Sequence, residues 1–325
     1  MIEAGWERSV ALVEVPPEEA QRALSGWRSD AAVREVAPLA GGHRHTNLRV
    51  VLDDGSAVVV RVCRSGDSCR REASVLGLVR DRAPAPRVLH IAPGGLEGSP
   101  HYLVTEFAAG RRLDDVLMHE GRMSATAREL GHTVGRSLAS VHAVRLAEPG
   151  LFDADLAPGP PLEDWSSFIL GTLDTGRAEA RLGPSLAHRL RRLVLREAGE
   201  MRGINLAPRL IHGDFKPTNI LVQERGGRWE VSAILDWEFA FSGCPLFDVG
   251  TILRYEERFA PGLSDGFYDG YVGGGGELSS DWRRLSRLSD LINLAELANR
   301  EKDTPIMHRD VRELVAGSVA KLEAA

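Results

Sequence analysis

The chain has 325 residues, 43% of them hydrophobic, and 40 Lys and Arg against 46 Asp and Glu give a formal net charge of −6. That length supports a sizeable core in one large domain or two lobes, and the acidic balance argues against a nucleic-acid partner, which would select a basic face. No apolar run approaches the roughly 18 residues of a membrane span, and the acidic opening from Met1 to Glu7 carries no basic-then-apolar targeting pattern. The expectation is a cytoplasmic protein. Cys63, Cys69 and Cys244 lack metal-ligand spacing and read as free thiols of a reducing compartment.

The elements follow in chain order. Residues 16–28 open on prolines and acids and place Ala20, Leu24 and Trp27 on one face, which predicts a short helix. Val33 to Leu39 predicts a strand. Gly41-Gly42 and a polar run to Asn47 follow, then a strand from Leu48 to Leu52. Asp53-Asp54-Gly55 predicts a tight hairpin turn into a third strand, Ala57 to Val62, mostly valine with Arg61 inside it. Arg70 to Val79 predicts an amphipathic helix carrying Glu72. Val88 to Ile91 and Tyr102 to Thr105 predict a strand pair that ends at Glu106-Phe107-Ala108-Ala109-Gly110. From residue 111 the pattern turns helical. A short helix holds Leu113, Val116 and Leu117, and a longer one runs from Ser124, a suitable N-cap, to His142. Residues 149–161 predict a loop, and 162–182 and 185–202 predict helices, the second rich in Arg as solvated helical faces often are. Gly273–Gly276 predicts a mobile loop, and 280–301 and 305–323 predict two closing helices.

Between the Arg-rich helix and that end lies the most informative stretch, residues 209–250. Leu210 and Ile211 run into His212-Gly213-Asp214. Lys216 stands two residues after Asp214 and Asn219 five after it, and Ile220 to Val222 then form an apolar strand. A polar turn leads to a second apolar run, Val231 to Leu235, which stops at Asp236 with Glu238 two residues on. Carboxylates and a carboxamide at the ends of buried strands are costly to desolvate unless something positive neutralises them. A divalent metal carrying a nucleotide phosphate meets that need. Asp-x4-Asn with a later Asp also matches the phosphoryl-transfer template, in which one Asp takes the hydroxyl proton while Asn and the other Asp hold Mg2+.

At these residues the chain resembles the aminoglycoside phosphotransferases and related antibiotic kinases, which share the protein-kinase fold. Their signature is His-Gly-Asp with Asn at plus five, followed by Asp-x-Glu or Asp-x-Asp. The resemblance implies an α+β bilobal protein-kinase-like fold. A small N-terminal nucleotide-binding lobe with an antiparallel sheet and one helix would span 1–105, a hinge 106–110, and a larger, mainly helical catalytic and substrate-binding lobe 111–325. It implies ATP or GTP with Mg2+ as cofactors. Asp214 would be the base and Lys216 would meet the γ-phosphate; Asn219 and Asp236, with Glu238 in support, would ligate the metal. Gly41, Gly42 and Asn47 would approach the phosphates, Arg61 would take the place of the usual lysine, Glu72 would pair with it, and adenine would bond the hinge near Glu106 and Ala108. Other readings stay open: the glycine pair as a plain turn, Arg61 as an outward strand residue and Glu72 as an exposed helix acid. Asp248 would brace the catalytic loop, while His142 reads as a satisfied core or interface histidine.

The absence of Asp-Phe-Gly, of Ala-Pro-Glu and of an Arg before Asp214 favours a small molecule over a protein substrate. The partner expected is a hydroxylated, cationic compound, an aminoglycoside first. A macrolide, a basic cyclic-peptide antibiotic, homoserine, choline or a sugar are the alternatives, with the protein a monomer or homodimer. Glu256, Glu257 and Asp269 lie in an acidic segment that would suit a polycation or be ordinary solvated surface. A nucleotide-binding scaffold without catalysis is the reading from another class; the presence of Asp214, Asn219 and Asp236 speaks against it.

Overall fold

A computed structural model describes residues 2–8, 10–39, 44–63, 65–92, 101–120, 124–157, 159, 164–203 and 208–325. Gly41 and Gly42 lie outside the described residues.

Five antiparallel strands form the first sheet in the order β1-β2-β3-β5-β4. They are β1 (Val33–Pro38), β2 (Thr46–Leu52), β3 (Ala57–Cys63), β4 (Val88–Ala92) and β5 (His101–Glu106). Two helices accompany the sheet, where the patterns over 16–28 and from Arg70 to Val79 predict them and the family resemblance implied one. Helix α1 (Pro17–Ser25) buries Ala20, Ala23 and Leu24 in a core shared with Leu48, Val50, Val60 and Val104. Helix α2 (Gly66–Val79) starts with a reciprocal Ser65–Ser68 capping pair and turns Cys69, Glu72, Val75, Leu76 and Val79 inward.

Cys63 and Cys69 correct the free-thiol reading: they form a disulfide with Cα atoms 5.7 Å apart. Cys63 ends β3 and Cys69 lies in α2, so the short connection between strand and helix folds the two side chains together. Only Cys244 is a free, buried thiol, and burial pushes its pKa up to about 11.

The rest of the chain is mainly helical. Helices α3 (Leu113–His119) and α4 (Ser124–His142) are followed by α5 (Trp165–Asp174), α6 (Arg177–Leu182) and α7 (Pro184–Gly203). The single helix expected over 162–182 is broken at Gly176, whose φ of +81° is left-handed. Two small sheets then carry the motif region. One joins β6 (Arg111–Arg112), β9 (Ile220–Arg225) and β10 (Arg228–Ile234), and the other β7 (Gly150–Leu151), β8 (Arg209–Ile211) and β11 (Phe241–Gly243). Helices α8 (Leu246–Leu253), α9 (Leu263–Gly273), α10 (Trp282–Asn299) and α11 (Pro305–Ala324) close the chain.

Helix α9 was not expected. It lies against α4 through glycines on both sides: a Cβ at Gly131 or Gly135 would strike the α9 backbone, and one at Gly266 or Gly270 the α4 backbone. The spacing of four in each pair is the sequence signal for this close approach. Gly273–Gly276 is a hydrogen-bonded end to α9 rather than an open loop. The N–H groups of Gly274, Gly275 and Gly276 donate to the carbonyls of Gly270, Val272 and Tyr271, each at 2.9 Å.

Candidate functional site

Buried strand β8 delivers the first motif. Leu210 and Ile211 are fully buried, and the chain then turns at Gly213 with φ +82°. No other residue fits there, because a Cβ would enter the carbonyl of Phe239. The turn is held from behind. The N–H groups of His212 and Gly213 donate to the two Asp248 carboxylate oxygens at 2.7 and 2.9 Å. His142 Nε2 donates to the same carboxylate at 3.1 Å, and its Nδ1 accepts from the Tyr271 hydroxyl at 2.8 Å. Asp248 therefore braces the loop and His142 is a satisfied core histidine, as the sequence suggested. His212 ties the two motifs together: its Nε2 donates to the Leu235 carbonyl at 3.0 Å, and its Nδ1 accepts from the Asp214 N–H at 3.2 Å.

Asp214 and Asn219 meet directly. The Asn219 amide donates to the Asp214 carbonyl and to its Oδ2, both at 2.9 Å. Lys216 Nζ lies 3.1 Å from the same Oδ2. Burial raises the Asp214 pKa, with Lys216 opposing and Glu3 and Asp236 adding to the rise. Burial works against the charged Lys216, but Asp214 and Glu3 outweigh it and push its pKa up.

Asp236 follows β10 in the left-handed region, with φ 69° and ψ 65°. A non-glycine residue there costs on the order of 1–3 kcal/mol and persists only where surrounding contacts impose it. One such contact is Arg61, whose Nη1 reaches Asp236 Oδ1 at 3.0 Å and Glu72 Oε2 at 2.7 Å, while Nε donates to Asn47 Oδ1 at 3.0 Å. Asn47 faces Arg61 in the β2–β3 register. Both Arg61 and Glu72 are buried, which removes the outward-arginine and exposed-acid readings. Burial opposes the ionised Asp236, yet Arg61 and then His45 hold its pKa below the ordinary value. The Arg61 Nη2 arm donates to no described residue.

Glu238 is already engaged. His45 Nε2 lies 2.8 Å from Glu238 Oε2, and His45 Nδ1 faces the Val62 carbonyl at 3.3 Å. Both ring nitrogens thus face acceptors, which suits the imidazolium. Burial lowers the His45 pKa, but Glu238 more than offsets this and raises it. The Glu106 carboxylate pairs with Arg87 and its N–H donates to the Arg87 carbonyl at 3.0 Å, whereas the Ala108 N–H has no partner among the described residues.

One cavity of about 980 Å³ joins these groups. At one end it is bounded by Val59, Leu103, Glu106, Ala108, Leu221 and Leu235, an apolar slot beside the backbone of 106–108. It passes Arg61, Asp214, Asn219 and Asp236, then opens onto Trp165, Phe168, Glu296, Arg300 and Met307. Residues 2–7 also line it. Nothing in the motif pattern pointed to Glu3, Phe168 or Glu296.

Glu256, Glu257 and Asp269 do not line this cavity. Glu256 faces Arg287 at 3.2 Å and Arg283 at 3.6 Å. Glu257 pairs with Lys321, and Asp269 with Arg128. The local excess of acids in 255–282 is met by cations from α4, α10 and α11, which sequence distance hides.

Residues 35–288 match the model of the phosphotransferase enzyme family. The chain belongs to that family and is an enzyme, a small-molecule kinase with a bilobal kinase-like fold. No curated protein matches it by sequence. Solved structures share its fold at low identity. The GDP and kanamycin complex of APH(2")-IIia is 17% identical, with 93% of this chain and 98% of that one aligned and a TM-score of 0.71. A thermostable mutant of aminoglycoside phosphotransferase APH(4)-Ia, in ternary complex with AMP-PNP and hygromycin B, gives 18%, 93%, 97% and 0.66. A putative fructosamine-3-kinase from Thermobifida fusca YX-ER1 gives 18%, 94%, 100% and 0.64. Among the described residues no helix is long and apolar enough to cross a membrane.

Proposed function

We propose that this kinase transfers the γ-phosphoryl group of ATP or GTP to a hydroxyl of a small cationic compound, an aminoglycoside-type antibiotic first. The observation that carries this is the convergence of Asp214, Asn219, Asp236 and the Arg61–Glu72 pair on one cavity, with an apolar slot at one end and room for a second molecule at the other. The nucleotides and aminoglycosides in the similar structures support the same reading.

In this account the purine lies between Val59 and Leu221 and bonds the backbone near Glu106 and Ala108. Residues 1–105, 106–110 and 111–325 then serve as nucleotide lobe, hinge and acceptor lobe, with the cleft-lining segment 2–7 as an exception to that division. Arg61 directs its Nη2 arm, which meets no described residue, at the phosphates, a planar fork doing the work of a lysine point charge. Asn47, bonded to Arg61, stands at the phosphate end.

Asn219 and Asp236 suit Mg2+. The Asn219 amide nitrogen is spent on Asp214, so its carbonyl oxygen is the remaining donor, and Asp236 keeps Oδ2 beyond its bond to Arg61. Among the described residues no cluster of three or more His, Cys, Asp or Glu side chains could hold a metal. That fits an ion bound by one or two protein oxygens together with phosphate and water. Bound there, Mg2+ would neutralise phosphate charge. Glu238 supports the site through His45 more than as a direct ligand. Asp214, with its proton affinity raised by burial, accepts the hydroxyl proton and aligns the alcohol. Lys216 balances the charge beside it.

The test is incubation with Mg2+ and either ATP or GTP against hygromycin B, kanamycin and a fructosamine, with products read by mass spectrometry. A gain of one phosphoryl group on an aminoglycoside is the expected result. Nucleotide binding without transfer to any of them contradicts it.

A further inference from the structure

The family match begins at residue 35, yet residues before it reach the centre of the cleft. Ile2 is buried in the main core with Phe215 and Tyr255. Glu3 takes a left-handed conformation with φ 56°, and Gly5 follows at φ 80°. The segment is fixed at several points. Trp6 Nε1 donates to Asp310 Oδ2 at 2.9 Å. The Glu7 carboxylate accepts the N–H groups of Ile306 at 2.9 Å and Met307 at 3.3 Å, capping α11. Beyond it, Arg8 donates to the His45 carbonyl at 2.8 Å, and the Val13 N–H to Thr46 Oγ1 at 2.9 Å, so the chain crosses from the helical lobe to β2. It forms a strap across the acceptor side of the cleft.

Glu3 is the residue this strap delivers. Its side chain is only 3% exposed, and Oε2 lies 3.1 Å from Lys216 Nζ. The Tyr255 hydroxyl donates to Oε1 at 3.3 Å. A left-handed glutamate and a buried carboxylate are both costly, so strong local contacts must hold them. Lys216 thus sits between two carboxylates, 3.1 Å from each. Of the Asp214 oxygens, Oδ2 takes both Lys216 and Asn219, while Oδ1 accepts no hydrogen bond from a described residue.

We propose that Glu3 is a positioning residue for phosphoryl transfer. It anchors the Lys216 ammonium on the side away from Asp214, so that Lys216 neutralises the Asp214 site without closing over it and Asp214 Oδ1 stays open to the acceptor hydroxyl. The catalytic half of the inference rests on the function proposed above; the anchoring half does not. Without Glu3 the lysine has Asp214 as its only carboxylate partner among the described residues and is free to shift across that carboxylate, misplacing the group that must orient the alcohol.

Two measurements test this. The first is lysine footprinting with acetic anhydride and mass spectrometry, which needs no substrate. Lys216, Lys302 and Lys321 are the only lysines in the chain, so the pattern is simple. Glu3→Gln, which keeps the side-chain shape, is expected to raise Lys216 acetylation several-fold and leave Lys321 unchanged. Unchanged Lys216 labelling overturns the anchoring. The second is steady-state kinetics on whichever aminoglycoside the wild type phosphorylates. Misplacement at a reacting centre is costly, so Glu3→Gln is expected to lower kcat at least about tenfold with nucleotide KM within about twofold. Adding Glu3→Gln to Lys216→Met is expected to cause no further loss, because Glu3 acts through Lys216. A kcat within twofold of wild type, or full additivity with Lys216→Met, overturns the positioning role; a retained melting-temperature rise with Mg·AMP-PNP shows that each variant is folded. Wild type that transfers phosphate to no acceptor, with Lys216 labelling still dependent on Glu3, overturns the proposed function and the positioning role while sparing the anchoring contact.

Discussion

The two ends of the cleft are built in different ways. The end proposed for the nucleotide is centred on one side chain: Asn47, Glu72 and Asp236 all bond Arg61, the first from the neighbouring strand, the second from the following helix, and Asp236 from 175 residues along the chain. The end proposed for the acceptor is lined by separate pieces, namely the strap at 2–7, helix α5, helix α10 and the start of α11. Chemistry shared by a family belongs in the first kind of construction, where a few residue types at fixed spacing suffice. Choice of substrate belongs in the second, where each wall can change without disturbing the phosphates.

This contrast predicts unequal responses to mutation. The largest falls on the nucleotide end. Glu72→Ala removes one partner of a buried pair and leaves Arg61 short of a counter-charge, at a cost of about 3–5 kcal/mol. Urea titration should show that loss, and nucleotide KM should rise in any fraction that stays folded. A loss below 1 kcal/mol would mean that Arg61 does not depend on Glu72.

The disulfide comes next. Cys63 and Cys69 are six residues apart and flank the segment between the strand bearing Arg61 and the helix bearing Glu72. Cys63→Ser with Cys69→Ser frees a short loop in the unfolded chain and should lower stability by about 2 kcal/mol. Stability of the double variant equal to that of the oxidised wild type would show that the bridge contributes nothing. Because both cysteines sit in this lobe, acceptor KM should change less than nucleotide KM.

The smallest effect is expected where the sequence placed substrate contacts. Glu257→Gln with Asp269→Asn breaks surface pairs to Lys321 and Arg128, worth about 0–1 kcal/mol each, and should leave acceptor KM unchanged. A several-fold rise would return these acids to the substrate site and blur the contrast.

The same division explains what was legible in the sequence. Helix α4 was read from Ser124 to His142, its observed bounds, because its apolar period is regular and its ends are marked. The motif loop was legible because Gly213, Asp214 and Asn219 must be those residue types for steric and chemical reasons. Helix α9 was hidden: its buried face contains Gly266 and Gly270, which carry no hydrophobic signal, and contact with α4 replaces side-chain packing. Cys63–Cys69 was missed because spacing does not report how a chain folds between strand and helix. The acids of 255–282 misled because their cations come from residues 128, 283, 287 and 321. Glu3 was invisible because nothing local distinguishes it; only the folded chain sets it beside Lys216.

Asp214 is proposed to accept the acceptor hydroxyl proton while other groups of the cleft hold the nucleotide. Asp214→Asn keeps the size of the side chain and removes the base. Measured as phosphorylated aminoglycoside formed per enzyme with Mg2+ and saturating nucleotide, its turnover should fall by about 10²-fold or more, with nucleotide affinity retained. Turnover equal to wild type would contradict the account.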